Sequence, residues 1–456
     1  MEWGFAMGDE RLEAFRAVLS GDVLGPSDDG YEEARRVHNG LIDRRPALIV
    51  RCRGTADIVD ALAFARDAGL EVSVRGGGHN PAGRAVTDGG LMIDLSLMKG
   101  ICVDPDARTV RAQGGVVWRE LNREAALHGL ATTGGEVSTT GIAGYTLGGG
   151  AGWLMGKYGL AVDNLLSVEL VTAGGEVLQA SANEHPDLFW ALRGGGGNFG
   201  VAASFQYRVH ELPQVYGGLV AHPISAARDG FRFYRDFTAD LPDELIALAG
   251  LIHAPDGSGM PLFAFAVCHA GTLEQAEEDL SALVSFGEPV MTQVGPMPYP
   301  AINMMLDDGY PRGALNYWKS TFITALEDEV IDTMVERFVS CPSPMTAILV
   351  EHFHGAVSRV GVTDTPVPHR SPGYSVLIPS EWLDPDATEM NISWTRDTYA
   401  ALGPFMAKRR WLNYLDDDED DEAVLAAYGP NYARLVEVKR RYDPDNLFHL
   451  NQNIRP

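Results

Sequence analysis

The sequence predicts an α+β fold in two domains. The first, residues 1–213 with its core from about residue 43, mixes helix and strand in two parts; the second, 214–413, is an antiparallel sheet backed by helices; and 414–456 returns to the first. Three observations carry this. At 456 residues the chain exceeds one core at roughly 100–200 residues per domain. A strand-helix-strand pattern with dense glycine fills the first half, and after Leu212-Pro213 it gives way to longer apolar strands joined by turns. The segment Tyr442 to Ile454 is too rich in apolar and turn-forming residues for a loose end.

In chain order, Ala47 to Val50 reads as a buried strand, and Thr55 caps a helix whose apolar face is Ile58, Leu62 and Ala65, ended by Gly69. Glu71 to Val74 is the next strand and runs into a glycine loop. Strands follow at Leu91 to Leu95 and Thr109 to Gln113, then a helix from Val117 to His128 closed by Gly129. A helical stretch, Asp187 to Leu192, precedes Gly194 to Gly200 and the strand Val201 to Val209. In the second domain, Ile246 to His253 and Pro261 to His269 form a hairpin through Pro255-Asp256-Gly257-Ser258-Gly259. Thr272 with Gln275 offers a capping box, and strands at Thr346 to His354 and Tyr374 to Ile378 complete the sheet.

Composition narrows the function classes. A formal charge of −26, from 62 acidic against 36 basic residues, disfavours nucleic acid as a partner. No apolar run reaches the roughly 18 residues of a membrane span, and Met1-Glu2-Trp3-Gly4 lacks a signal-peptide layout, so a cytoplasmic monomer or homodimer away from membranes is expected. Cys52, Cys102, Cys268 and Cys341 form no Cys-x-x-Cys pair, so neither disulfides nor a metal site are expected; Cys102 and Cys268 read as small buried apolar residues. The run Asp416 to Glu422 lacks the spacing of a calcium loop and reads as a solvated loop.

Arg75-Gly76-Gly77-Gly78-His79-Asn80 is the most informative segment, because glycines leaving a strand let backbone N–H groups approach an anion such as a diphosphate. It is not a Rossmann loop: Pro81 stands where the last glycine belongs. A second glycine pattern at Gly195, Gly197 and Gly200 follows a helix and precedes a strand, the reverse of the order a nicotinamide-binding loop requires.

Several motifs in one order resemble the berberine-bridge-enzyme-like branch of the vanillyl-alcohol-oxidase superfamily, FAD-linked oxidases with a PCMH-type FAD-binding domain. They are the His79 loop, Gly141-Ile142-Ala143-Gly144-Tyr145-Thr146-Leu147-Gly148-Gly149-Gly150, Lys157 to Asn164, Asp187-Leu188-Phe189-Trp190, Tyr442 to Phe448 and Asn451-Gln452-Asn453-Ile454. The resemblance covers nearly the whole chain. It implies FAD bonded through its 8α-methyl carbon to His79, a bond that raises the flavin potential. It also implies that Arg75 to Asn80, Ser138, Thr139, Thr140, Gly141, Gly144, Tyr145, Gly148, Val201, Asn451 and Asn453 contact the cofactor, with Thr140 a candidate for controlling the electron acceptor.

Two departures from the family pattern bear on chemistry. Many relatives attach the flavin a second time through a cysteine whose place here is held by Val137, so one covalent bond is expected and no cysteinyl link. Sugar and alcohol oxidisers use the first tyrosine of a Tyr-x-Asn motif as base, and here the stretch is Trp411-Leu412-Asn413-Tyr414. An indole cannot take a proton from an alcohol. Glu351 is then a candidate acid/base, with Asn413 and Tyr414 beside it; strand alternation puts His352 and His354 on the face opposite Glu351 and Phe353, with no third ligand for a metal. Tyr310, Tyr317 and Trp318 read equally as pocket or core.

The resemblance therefore implies hydride transfer from a small organic substrate to FAD, with O2 taking the electrons and hydrogen peroxide released. Missing the usual base, the chain fits an amine or secondary-metabolite substrate better than a simple carbohydrate. A flavin-containing drug-binding or resistance protein without turnover is the alternative from another class, and an oligosaccharide or alcohol oxidase with an atypical base a third.

Overall fold

The computed structural model describes residues 9–418 and 421–456. Residues 1–8, where the signal-peptide layout is missing, and Glu419-Asp420 of the acidic run lie outside the described residues.

Leu48–Arg51 and Val72–Arg75 pair in parallel on either side of Leu91–Asp94, and Asp22–Leu24 joins antiparallel at the edge. Parallel neighbours need a crossover, and the helix Thr55–Ala68 supplies it, burying Ile58, Leu62 and Ala65 as the sequence spacing predicts. Gly69 ends it at φ 64°, a left-handed conformation that glycine adopts without strain. The helix start differs by one residue from the sequence reading. Gly54 holds the N-cap position, Thr55 is already helical, and its hydroxyl donates to Glu169 at 2.7 Å instead of capping.

A five-stranded antiparallel sheet forms the second part of this domain, in the order Ile101–Asp104, Thr109–Gln113, Val201–Arg208, Leu165–Val171, Val177–Ser181. The helix Trp118–Ala126 lies against it, with Trp118 and Leu121 fully buried. Cys102 is exposed on the edge strand, contrary to expectation, because its side chain alternates outward there; Cys268 is buried.

The second domain is one seven-stranded antiparallel sheet: Met291–Met297, Val215–Pro223, Pro261–His269, Leu245–His253, Ile348–Phe353, Gly373–Trp382, Leu315–Ile323. Both faces are covered, which is why its strands read as near-continuous apolar runs. Ala247, Ala249 and Leu251 pack toward the helices that carry Phe231, Tyr234 and Phe338, while Ile246 and Leu248 pack toward Trp153, Leu154 and Trp411. Each buried side chain of Leu or Phe size contributes about 1.5–3 kcal/mol. Thr272 Oγ1 accepts from Gln275 N at 3.2 Å, but the Gln275 amide turns to the Thr272 hydroxyl, so only half of the capping box forms.

The tail returns to the first domain through a buried ion pair. Lys439 Nζ and Asp443 Oδ2 are 2.6 Å apart, both fully enclosed, and Lys439 also donates to the carbonyls of Asn198 and Phe448. The acidic run is only partly a solvated loop. Asp416 is buried and accepts the backbone N–H of Trp318 at 2.8 Å, and Asp418 receives Lys319, Arg396 and the Tyr317 hydroxyl. These cations come from the second domain, too distant in sequence to be read as partners of the run. Among the described residues no helix is long and apolar enough to cross a membrane, and no cluster of three metal-ligating residues occurs.

Candidate active site

The glycine loop begins where Val72–Arg75 ends. Arg75 points away from the loop's open side: its guanidinium donates to both oxygens of buried Asp94, at 2.9 and 2.6 Å, and to the carbonyl of Arg36. Burial pushes the Asp94 pKa up, but Arg75 and Ser96 outweigh it and hold the carboxyl below its usual value. Arg75 therefore anchors the loop and is not among the residues that line the cavity. A Cβ on Gly77 would stand 2.4 Å from the backbone N of Gly141, so the two segments touch backbone to backbone.

A cavity of about 260 Å³ opens from this contact between the two domains. Of the expected contact residues, Gly76, Gly77, Gly78, His79, Asn80, Thr140, Gly141, Gly144, Tyr145, Gly148 and Asn451 line it. Four others do not. Ser138 gives its N–H and hydroxyl to Asp307 at 2.8 and 2.6 Å; Val201 is 1% exposed in the core, although its neighbours Gly200 and Ala202 reach the cavity; Thr139 and Asn453 are half-buried, with their side-chain oxygens enclosed. Asn451 fastens the tail to the glycine-rich segment, donating to Gly197 O at 2.9 Å.

His79 faces the cavity and stacks on His38, ring centroids 3.8 Å apart. Burial holds its imidazole well below the usual pKa, and the neighbouring His38 adds to this, so it is neutral and keeps a free lone pair. His79 Nε2 is enclosed without a hydrogen-bond partner among the described residues. Sequence reasoning missed His38, which sits far upstream of the loop.

On the second domain's sheet, Glu351 is 2% exposed and its Oε1 accepts the Tyr414 hydroxyl at 2.8 Å. Burial lifts its pKa to about 7, against the lowering effect of the Tyr414 hydrogen bond and the nearby Ser375 hydroxyl. Its strand neighbours alternate as expected, His352 and His354 stacking together on the other face. Tyr414, Tyr310 and Trp318 line the cavity, whereas Tyr317 alternates away toward Asp418 and Arg396. Asn413 lines it too, but its side chain is committed, donating to Tyr145 O at 2.9 Å and accepting from Gly150 N at 3.2 Å. That makes Asn413 a brace that sets the position of Tyr414. Trp411 is 2% exposed and packed against Phe353 and Phe322, outside the cavity lining.

Glu136 was not anticipated. It lines the cavity beside Val137, and its pKa is raised well above the carboxylate range by burial and by Glu351. The available signal was an acid inside an otherwise uncharged stretch, Gly134-Gly135-Glu136-Val137-Ser138-Thr139-Thr140, with no basic residue nearby in sequence.

Comparison with known proteins agrees with this geometry. Residues 46–181 match the family model described as FAD binding domain, and residues 410–455 the one described as berberine and berberine like. The chain is 34% identical over 453 residues to (R)-6-hydroxynicotine oxidase of Paenarthrobacter nicotinovorans, covering 96% of this chain and 97% of the relative. An FAD-linked oxidoreductase of Dictyostelium discoideum is 30% identical, with 98% and 97% covered. The crystal structure of 6-hydroxy-D-nicotine oxidase from Arthrobacter nicotinovorans superposes with a TM-score of 0.88 at 32% identity, covering 96% of this chain and 98% of that one. A chitooligosaccharide oxidase shares the fold at 22% identity and a TM-score of 0.84, with 98% and 99% covered. With the glycine loop, the tail and Tyr414, the partner of the sheet-borne acid, all meeting at one cavity, the chain belongs to the berberine-bridge-enzyme-like family of FAD-linked oxidoreductases.

Proposed function

We propose that this oxidoreductase is an oxidase acting on a cationic amine, free or carried on a secondary-metabolite scaffold, with FAD bonded once, through His79, and O2 reduced to hydrogen peroxide. The residues present fit the cofactor. Gly144 lines the cavity with no atom within 4 Å of where its Cβ would be, the touching backbones at Gly77 and Gly141 leave no side chain in the way, and His79 offers a neutral imidazole. When bound, FAD supplies a two-electron acceptor for hydride.

The observation that carries the amine reading is a wall with Glu136 and Tyr414 on it, Glu351 hydrogen-bonded behind Tyr414, and no free positive charge among the described lining residues. Among the described lining residues the one guanidinium is Arg84, and it is engaged by the carbonyls of Leu450, Asn451 and Asp416. An ammonium entering this space meets carboxyl groups; a carboxylate substrate would meet repulsion. Glu351, poised at about pH 7, is suited to take the ammonium proton and leave the nitrogen lone pair free to assist loss of hydride from the adjacent carbon. Trp411, where sugar oxidisers carry a tyrosine base, provides no acceptor for an alcohol proton. The name of the hydroxynicotine-oxidising relative points the same way.

The test is peroxide release under air from a panel of amines, (R)-6-hydroxynicotine included, against cellobiose and NADH. Saturable peroxide from at least one amine and none from the sugar or NADH is expected. Turnover of the sugar alone, or tight stoichiometric binding of the amines with no peroxide, contradicts the proposal.

A further inference from the structure

We propose that Glu136, on the cavity wall, is the residue that binds the cationic nitrogen of the substrate. The assignment rests on the amine reading of the same cavity and adds a specificity-determining residue to it.

The geometry begins with the backbone. Two residues of the second domain hold the segment on either side of Glu136: Asn303 Nδ2 donates to the carbonyl of Gly135, and Asp307 accepts the N–H and hydroxyl of Ser138 at 2.8 and 2.6 Å. Clamped this way, the segment presents Glu136 to the cavity. Yet the Glu136 carboxyl has no hydrogen-bond or ion-pair partner among the described residues, whereas Glu351 keeps Tyr414. A half-buried carboxyl held in place and left unpaired carries a cost that a cationic partner offsets.

What faces Glu136 excludes a protein cation as that partner. The titratable groups that interact with its charge are Glu351, the phenols of Tyr145, Tyr234, Tyr299, Tyr310 and Tyr414, and the Cys268 thiol, from separate helices, strands and loops. Each of those phenols and the thiol is pushed up by burial and further by Glu136, so none is anionic near neutral pH and none brings positive charge. Because Glu351 disfavours the charge on Glu136, the two carboxyls titrate as a pair and hold a proton between them near neutral pH. An arriving ammonium displaces that proton: an O–H bond of the pair breaks, the proton leaves to solvent, and the carboxylate takes the N–H of the substrate as a charge-assisted hydrogen bond. No electrons change hands in this step. A second proton, the one the ammonium must lose before oxidation, then goes to Glu351.

The experiment uses the flavin-loaded protein with benzylamine and its uncharged isostere benzyl alcohol as probes. Affinity is read from flavin absorbance changes, and proton release from calorimetry in two buffers of different ionisation enthalpy. Wild type is expected to prefer benzylamine by roughly tenfold or more, the size of one charge-assisted hydrogen bond, and to release a proton on binding it. Glu136→Gln, with the wild-type flavin spectrum, is expected to lose both the preference and the proton release while benzyl alcohol affinity stays within about twofold. If Glu136→Gln keeps the preference and the proton release while amines still yield peroxide, the assignment is overturned and the oxidase reading stands. If wild type neither prefers the amine nor oxidises any amine, both are overturned. Glu136→Asp serves as a second variant, expected to retain part of the preference because the charge is kept; full loss there together with loss of benzyl alcohol binding would show a merely structural role and overturn the assignment.

Discussion

The cavity is built in two different ways. Its cofactor wall, at Gly76 to His79 and Gly141 to Gly148, is backbone: glycines in contact, chain segments braced by Arg75, Asn413 and the tail. Its substrate wall is side chains, Glu136, Tyr310 and Tyr414, brought from three separate stretches of the chain, with buried Glu351 held behind Tyr414 by a hydrogen bond of 2.8 Å. A backbone wall serves a cofactor common to a whole family, because it recognises phosphate and ring shape without committing side chains. A side-chain wall can be changed residue by residue, and there specificity resides.

Predictions that challenge this contrast run from the cofactor wall to the substrate wall. The largest effect is all or none: after acid precipitation the wild-type pellet stays yellow and fluorescent, and the His79→Ala pellet loses all of its flavin. Flavin retained by the variant would mean a second attachment point. Next, Lys439→Met leaves Asp443 buried without its cation, and a loss of about 3–5 kcal/mol in chemical denaturation is expected. A loss confined to the range of surface pairs would show that the tail contributes little to the cofactor wall.

Arg75→Met tests the anchor of the loop through pH. Asp94 has a folded pKa below its usual value, so its contribution to stability is full above that usual value and is lost as pH falls through the folded one. Without Arg75 the carboxyl pKa rises, and the acid-unfolding midpoint should move to higher pH. An unmoved midpoint would separate Asp94 from acid stability. The smallest effect belongs to Tyr414→Phe. Its hydroxyl lowers the Glu351 pKa, so removing it should shift the limb of the pH–rate profile upward by about one unit or less, with flavin content unchanged.

The same contrast explains what could be read before the fold was known. Strand and helix periodicity located Leu48–Arg51, Thr109–Gln113 and the hairpin of the second domain, and the glycines pointed to the cofactor loop, because these are local signals. The face of Glu351 followed from alternation along one strand. Met291–Met297 and Leu315–Ile323 gave weaker patterns, the first because it is an edge strand with mixed exposure and a proline, the second because hydroxyls and Lys319 interrupt its apolar run. Glu136 stood out only as an acid in an uncharged stretch: its significance comes from the cavity it lines and from the influence of Glu351, and both depend on how two domains close. Asp416 and Asp418 misled as a solvated run because their partners, Trp318, Lys319 and Arg396, are supplied by tertiary structure.

The most direct test of the central claim is the rate of anaerobic flavin reduction by an oxidised amine, measured across pH in wild type and in Glu351→Gln. With Glu351 raised to about 7, the wild-type rate should climb through neutral pH as the carboxylate forms. The variant, lacking a base, should be slower by roughly 10²–10⁴-fold and without that limb. Wild-type rates in the variant, with the same pH dependence, would contradict the account.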